Sequence, residues 1–305
     1  MKVRTELNAA FQKLGLRQAL PLDIKEKLTL TRIEQWYRHF DGKVYVGFSG
    51  GKDSTVLLHL VRKLYPDVPA VFSDTGLEFP EIKNFIKEKD NFVIIKPKIS
   101  FRQVLEREGY PVISKQTANA VTRFRNTKNP KVKERILAGR GKYSLPEKWV
   151  YLIHAPFKIS DKCCYIMKKS PFHEYNKKTG RWPMVGTMAA DSKQRELAYM
   201  GSGCNAYESK SPMSAPLGFW LEADIWAYIK KYNLDISSIY SLGYKRTGCI
   251  FCMFGVHLES APNRFQLLEQ THPKLYDYCM TALGLREVLK YIKCPYTTKQ
   301  LELDL

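Results

Sequence analysis

The stretch "VYVGFSGGKDSTVLLHL", Val44–Leu60, sets two glycines and an ionisable pair between two apolar runs of different period. The first run, with Val44, Tyr45, Val46 and Phe48, has the composition of a buried strand. After it, Ser54 and Thr55 open a helix with Val56, Leu57, Leu60, Val61 and Leu64 as its apolar face, closed by Pro66 and Pro69. In wound parallel sheets, ligands bind beyond the carboxyl ends of strands, near helix N-termini. Gly50 and Gly51 let the main chain turn sharply and offer N–H groups to a phosphate. The helix adds its positive end. Ser49, Ser54 and Thr55 can donate to phosphate oxygens, Lys52 adds charge, and Asp53 can hold a magnesium ion bridging phosphates. The spacing is neither that of the Walker-type loop nor Gly-x-Gly-x-x-Gly. A Gly-Gly-Lys turn alone also serves as a plain structural turn, but its place between strand and helix favours a ligand.

The flanks repeat the alternation. "TLTRIEQWYRHF" (29–40) predicts an amphipathic helix from a Thr cap, with Ile33, Trp36, Tyr37 and Phe40 on one face. "AVFSDTG" predicts a second strand ending in a polar turn, Pro80 a helix through about Lys89, and "FVIIKPKI" a third strand. This β-α-β-α-β order predicts an α/β fold, a parallel twisted sheet flanked by helices. Residues 114–150 are polar, basic and turn-rich, and read as an insertion or mobile lid. Beyond them, "WVYLI" (149–153) reads as strand-like, "RWPMVGTMA" as a strand, "LEADIWAYIKKYN" as a helix, and the chain from about residue 263 as a helical tail. With no clean linker and no repeats, the expected organisation is an N-terminal helical segment (1–40), a nucleotide-binding domain (41–255) carrying the basic insertion 114–150, and a helical C-terminal segment (256–305).

The 305 residues carry 49 Lys/Arg against 30 Asp/Glu, a formal net charge of +19. The excess is local: residues 111–181 hold seventeen Lys/Arg and four Asp/Glu. Such a field attracts polyanions and favours a nucleic-acid partner, against the plainer reading of a solvated basic face. No apolar run reaches the roughly 20 residues that span a bilayer. "MKVRTELNAAFQKLG" lacks the apolar stretch of a secretory signal, so a cytoplasmic location and no membrane partner are expected.

"SGGKDS" resembles the pyrophosphate loop of the N-type ATP pyrophosphatases, which have the adenine nucleotide alpha-hydrolase-like fold. "FSDTGLEFPE" (Phe72–Glu81) resembles a segment of the phosphoadenosine phosphosulfate (PAPS) reductase family. So does "GTMAADSKQRE", whose Ser192 and Arg195 match positions that help bind nucleotide phosphate; Thr187 and Met188 depart from the usual arginines. "PLGFWLEADIWAYIKKYNL" with "YSLGYKRTGCIFC" is similar to the family's later block. The resemblance spans about Ile33 to Cys252 and is weakest across the basic insertion. It implies adenosine contacts at Asp74, Thr75 and Gly76. Sulfonucleotide reductases usually carry a loop closer to Ser-x-Gly/x-Glu-Asp, and the full "SGGKDS" looks more like members that split ATP to AMP and pyrophosphate.

Seven cysteines in such a chain read as metal or redox chemistry before disulfides. Adjacent Cys163 and Cys164 reach one site only from a special turn or helical start, while Cys249-Ile-Phe-Cys252 has compact ligating spacing. Spacing alone favours zinc. The resemblance of "KCCYIMKKSPF" and "GCIFC" to the adenylylsulfate reductase branch implies instead that these four cysteines hold a 4Fe–4S cluster. The reductases' C-terminal Glu-Cys-Gly-x-His tail is replaced by "YIKCPYTT", leaving Cys294 as the candidate thiol or a plain helix-end cysteine. Cys204, in "GSGCNAYES", is a candidate persulfide carrier, Cys279 a core residue, and the histidines are uninformative.

Three readings follow. In the leading one, Mg-ATP on residues 49–55 adenylates a substrate oxygen, with a nucleic acid as the expected substrate, for replacement by sulfur from a donor protein. The candidate catalytic residues are Lys52, Asp53, Cys204 and Cys294. In the second, PAPS or adenylylsulfate occupies the cleft and Cys294 attacks, with a thiol reductant protein as partner. In the third, the chain is a non-catalytic nucleic-acid-binding module. The oligomeric state stays open.

Overall fold

A computed structural model describes residues 2–139 and 143–300, with side chains from residue 9 onward. Arg140 and Lys142 of the basic stretch, and 301–305 of the C-terminal segment, lie outside the described residues. In chain order come α1 (Lys2–Gln18), α2 (Leu22–His39), β1 (Val44–Phe48), α3 (Lys52–Leu64), β2 (Ala70–Ser73), α4 (Pro80–Lys87) and β3 (Phe92–Ile95). Next are α5 (Phe101–Arg107), β4 (Val112–Ile113), α6 (Lys115–Asn126), α7 (Pro130–Leu137), α8 (Ser170–Thr179), β5 (Trp182–Val185), α9 (Lys193–Ser202), β6 (Asn205–Ala206) and β7 (Met213–Ser214). Last are α10 (Glu222–Tyr232), β8 (Met253–Phe254), α11 (Arg264–Thr271), α12 (Pro273–Thr281) and α13 (Leu285–Tyr291). No helix among the described residues is long and apolar enough to cross a membrane.

The chain divides into two units. One comprises the chain up to Asp74, Pro80–Ile95 and Phe172–Thr247; the other comprises Thr75–Phe79, Lys96–Pro171 and the chain from Gly248. The first holds a six-stranded sheet in the order β3-β2-β1-β5-β7-β6, parallel except where β6 meets β7. The expected parallel α/β sheet is therefore present. Strand β1 is covered on both faces, which explains its nearly unbroken apolar sequence. From β1 the chain steps outward through β2 and β3 and later returns on the opposite side as β5. This order puts the switch point, and so the crevice, at the end of β1. Helix α3 is anchored there by Val56, Leu57, Leu60 and Val61, none with any exposed surface. Each such burial is worth roughly 1.5–3 kcal/mol.

Helix α2 begins at Leu22 after Pro21, not at Thr29. The extra turns looked polar because Lys25 and Glu26 read as surface residues, yet both are buried. Lys25 Nζ donates to Asp224 of α10 at 2.6 Å. Glu26 accepts from Lys231 Nζ and from the Tyr232 hydroxyl, each at 2.7 Å. The Thr29 hydroxyl, rather than capping a helix, accepts from the Trp220 indole at 2.9 Å.

The second unit pairs β4 with β8 in parallel. Much of the expected lid is helical. Ser114 caps α6 and Asn129, followed by Pro130, caps α7. The buried face of α6 is made of small residues, Thr117, Ala118, Ala120 and Val121, so the stretch lacked a strong apolar signature. "WVYLI" is not a strand: Glu147–His154 form a 3-10 helix. Two of its carbonyls, and two just beyond its end, are taken by one side chain. The Arg125 guanidinium donates to Leu152 and Ala155 at 2.8 Å, Ile153 at 2.9 Å and Phe157 at 2.7 Å. With these acceptors satisfied, β-propensity has no ladder to serve.

Removing one member of a buried ion pair strands the other. Asp224→Ala should therefore destabilise the first unit by about 3 kcal/mol in urea unfolding, and adding Lys25→Met should recover most of that loss.

Candidate active site

The turn after β1 is built from contacts that forbid side chains. Gly50 has φ +74°, and a Cβ there would lie 2.5 Å from Ile82 Cγ2. A Cβ on Gly51 would lie 2.5 Å from Thr247 Oγ1. After β5, Gly186 passes so close to α3 that a Cβ would meet the Asp53 carbonyl oxygen at 2.8 Å. Ser54 locks the turn: its hydroxyl accepts from Ser49 N at 3.2 Å and donates to Gly51 O at 2.9 Å. Thr55 Oγ1 donates to the same carbonyl at 3.1 Å. Both hydroxyl protons are thus committed to shaping the loop. Ser49 is exposed, its Oγ 3.1 Å from Ser54 Oγ.

Helix α3 opens at Lys52, one residue earlier than Asp53 and two earlier than the expected Ser54. The Lys52 amide donates to the Tyr240 hydroxyl at 2.7 Å. Its ammonium is almost enclosed, 5.9 Å from the ring centroids of Trp226 and Tyr240. It meets Glu222 Oε1 at 3.2 Å and Asp53 Oδ1 at 3.4 Å. Burial works against this charge, but Asp53, Tyr240 and Glu222 outweigh it and raise the Lys52 pKa. For Asp53, burial is the larger influence and pushes its carboxyl pKa up; Lys52 pulls it back, while Asp191 and Glu222 add to the rise. Asp53 Oδ1 is buried without a well-formed hydrogen bond. A buried acceptor in that condition fits a cation.

The other nucleotide candidates occupy shaped turns. Asp74, at the end of β2, pairs with Lys83 Nζ at 3.0 Å. In the second unit, Glu78 ties the next turn: it accepts from Thr75 Oγ1 at 2.6 Å, Thr75 N at 3.0 Å and Leu77 N at 3.2 Å. Gly76 has φ +74° with open space at its Cβ position. In the first unit, Ser192 caps α9 and the exposed Arg195 guanidinium pairs with Asp191, which also accepts from Met188 N at 3.0 Å.

The second unit brings the four candidate ligands to one cavity, lined by Cys163, Cys164, Cys249 and Cys252 together with Lys168, Leu77, Met167 and Phe254. The adjacent pair does lie at a helical start. Tyr165 and Ile166 N–H both donate to Lys162 O, and a π turn, Tyr165–Lys169, follows at once. The Cys249–Cys252 turn closes with Cys252 N on Cys249 O at 3.2 Å, and Ile250 N donates to Leu77 O at 2.9 Å. Burial pushes the Cys249 thiol up to about 11 and raises Cys163 and Cys252 as well. Burial also opposes the Lys168 charge, but Cys249 and Glu78 hold it positive. Among the described residues no group of three or more His, Cys, Asp or Glu is arranged to hold a single metal ion. The donor set itself, four thiols around one cavity beside a cation, fits a thiolate-bound group.

Cys204 and Cys294 are both buried, at 5% and 4% exposure, and burial pushes each thiol to about 11. Cys279 is fully buried, as expected of a core residue. Glu222, Trp226, Tyr240 and Asp191 carried no assigned role in the sequence reading, nor did Glu78. All five fall within quoted blocks, but nothing in the spacing of the first three announces contact with Lys52.

Residues 43–254 match the phosphoadenosine phosphosulfate reductase domain. An uncharacterized protein of Methanocaldococcus jannaschii is 27% identical over 267 residues, 83% of this chain and 51% of its own. The chain thus spans about half the length of that relative. An adenosine 5'-phosphosulfate reductase of Staphylococcus epidermidis is 25% identical over 222 residues, 72% of this chain and 74% of its own. The crystal structure of the PAPS reductase from Candida auris aligns with a TM-score of 0.44 at 17% identity, covering 76% of this chain and 96% of that one. Because the domain match takes in well over half of the sequence, the chain belongs to the phosphoadenosine phosphosulfate reductase domain family.

Proposed function

We propose that this protein is an ATP-pyrophosphatase-type iron–sulfur enzyme that adenylates a substrate oxygen so that sulfur can replace it, with a nucleic acid as substrate. The observation that carries the reading is Asp53, whose buried Oδ1 has Lys52 Nζ at 3.4 Å and no well-formed hydrogen bond at the start of α3. A buried carboxylate at the start of this helix suits a magnesium ion accompanying a triphosphate. Lys52 and the loop amides stabilise the charge that develops as the substrate oxygen attacks the α-phosphorus and pyrophosphate leaves. Glu222 keeps Lys52 aligned with the loop and, being 61% exposed, can swing away when phosphate arrives. The adenylated oxygen then departs with AMP when a donor supplies sulfur at the sulfide level. Cys163, Cys164, Cys249 and Cys252 would hold a 4Fe–4S cluster, which when bound supplies redox-active iron and a place to bind sulfur. Lys168 offsets the negative charge of such a thiolate set.

The second reading, a sulfonucleotide reductase, is favoured by the adenosine 5'-phosphosulfate reductase relatives. It asks Cys294 to act as nucleophile, and that thiol is buried and protonated at neutral pH. Incubation with ATP and single-stranded nucleic acid should yield AMP and pyrophosphate, and Lys52→Ala or Asp53→Ala should lower the rate at least 100-fold. Sulfite formed from a sulfonucleotide and a thiol reductant, with ATP neither bound nor cleaved, would establish the reductase instead.

Ionised Asp53 opposes folding at neutral pH, because its folded pKa lies above the ordinary 3.8. Asp53→Asn should therefore raise the Tm of the nucleotide- and metal-free protein at pH 7. That gain should fade as the pH falls through and below 3.8, where wild-type Asp53 becomes protonated in both states. Anaerobic purification should give a brown protein absorbing broadly near ~400 nm, with iron and acid-labile sulfide in equal amounts. A colourless protein with one zinc per chain would replace the cluster with a structural ion.

A further inference from the structure

The helical hairpin α6–α7 is more than a basic stretch of chain. Its small-residue face is buried, and the opposite face presents exposed Lys115, Arg123, Lys128, Lys131 and Arg135. Among the described residues, Lys115, Lys128, Lys131 and Arg135 make no ion pair. Arg125 is set apart from them: all its donors go to main-chain carbonyls, so its charge serves the fold. Around this face, cations lie against aromatic rings. The Arg123 guanidinium sits 4.2 Å from the ring centroid of Tyr143, which is 44% exposed. Lys133 Nζ lies 5.2 Å from the Phe124 centroid, and beside the hairpin Lys148 Nζ lies 5.4 Å from that of Trp149.

We infer that this face binds unpaired nucleic acid, with the free lysines and Arg135 on phosphates and the Arg123–Tyr143 pair as a platform on which a base stacks. The inference deepens the nucleic-acid reading proposed above and rests on it for its biological sense, though not for its geometry. Uncompensated cations set the affinity and its salt dependence. Accessible aromatic and guanidinium planes favour bases that are not already stacked in a duplex. An anionic membrane would be met by cations alone, but insertion requires exposed aliphatic residues, and on the two helices Leu137 is the one exposed large apolar side chain among the described residues.

The test is fluorescence anisotropy of the full chain with labelled 20-nucleotide single strands of DNA and of RNA, a matching duplex, and competing phosphatidylserine vesicles. Single strands should bind best, and the tighter of the two identifies the sugar. Lys128→Ala/Lys131→Ala/Arg135→Ala should weaken binding at least tenfold and reduce the log–log salt slope by about 2. Tyr143→Ala should weaken it about tenfold with the slope unchanged. All four residues are exposed, so circular dichroism melts should match wild type. Duplex binding as tight as single-strand binding, vesicle competition at equal charge, or variants that bind like wild type would overturn the inference. ATP binding by calorimetry is measured on the same proteins. Unchanged ATP affinity in the hairpin variants places the loss on this face, whereas a wild type that binds single strands but not ATP would sink the adenylation reading and leave this surface standing.

Discussion

A main chain that must leave a buried parallel strand and enter a helix within three residues has very few solutions, and the turn at 49–51 is one of them. Gly50 takes a left-handed conformation against Ile82, and Gly51 lies against Thr247, so neither position has room for a Cβ. Ser54 and Thr55 close the turn on a single carbonyl. What results is a set of amides at a helix N-terminus, placed where the strand order reverses. The ionisable chemistry is an addition to that backbone. Lys52 and Asp53 sit at the first two helical positions because the turn delivers them there, and their burial makes their charges consequential.

Burial gives those charges opposite meanings. Lys52 is enclosed by two rings and two carboxylates and keeps its proton. Asp53 is pushed toward its neutral form by burial, with Lys52 at 3.4 Å only partly offsetting the rise. A site arranged this way is less stable than it could be, a common cost where function needs a poised charge. The cysteine cavity follows a similar logic. Four thiols line one cavity, where burial raises Cys163, Cys249 and Cys252, with Lys168 held positive beside them. A helical start followed by a π turn is what lets two adjacent cysteines share that cavity.

Where local pattern misled, the cause was a partner distant along the chain or a buried face of small residues. "WVYLI" has strand composition, yet its Leu152 and Ile153 carbonyls are taken by Arg125, twenty-seven and twenty-eight residues upstream, a partner no propensity reports. The two helices in the basic stretch went unread because the buried face of α6 is built from alanine, threonine and valine; the Ser114 and Asn129-Pro130 caps were the available signal. The early turns of α2 were missed because Lys25 and Glu26 count as polar in any window, and only their partners on α10 and Tyr232 make them interior.

The order of elements, the parallel sheet, the glycine turn with its lysine and aspartate, and each of the two cysteine motifs were written in local pattern. Periodicity, glycine placement and short spacings act within a few residues, so they survive in one dimension. The surroundings of Lys52, the strained protonation of Asp53, the Glu78 clasp on the 75–77 turn, and the gathering of cysteines more than eighty residues apart were settled by folding. Each depends on residues distant along the chain and on how much water reaches them, quantities that exist only once the chain has packed.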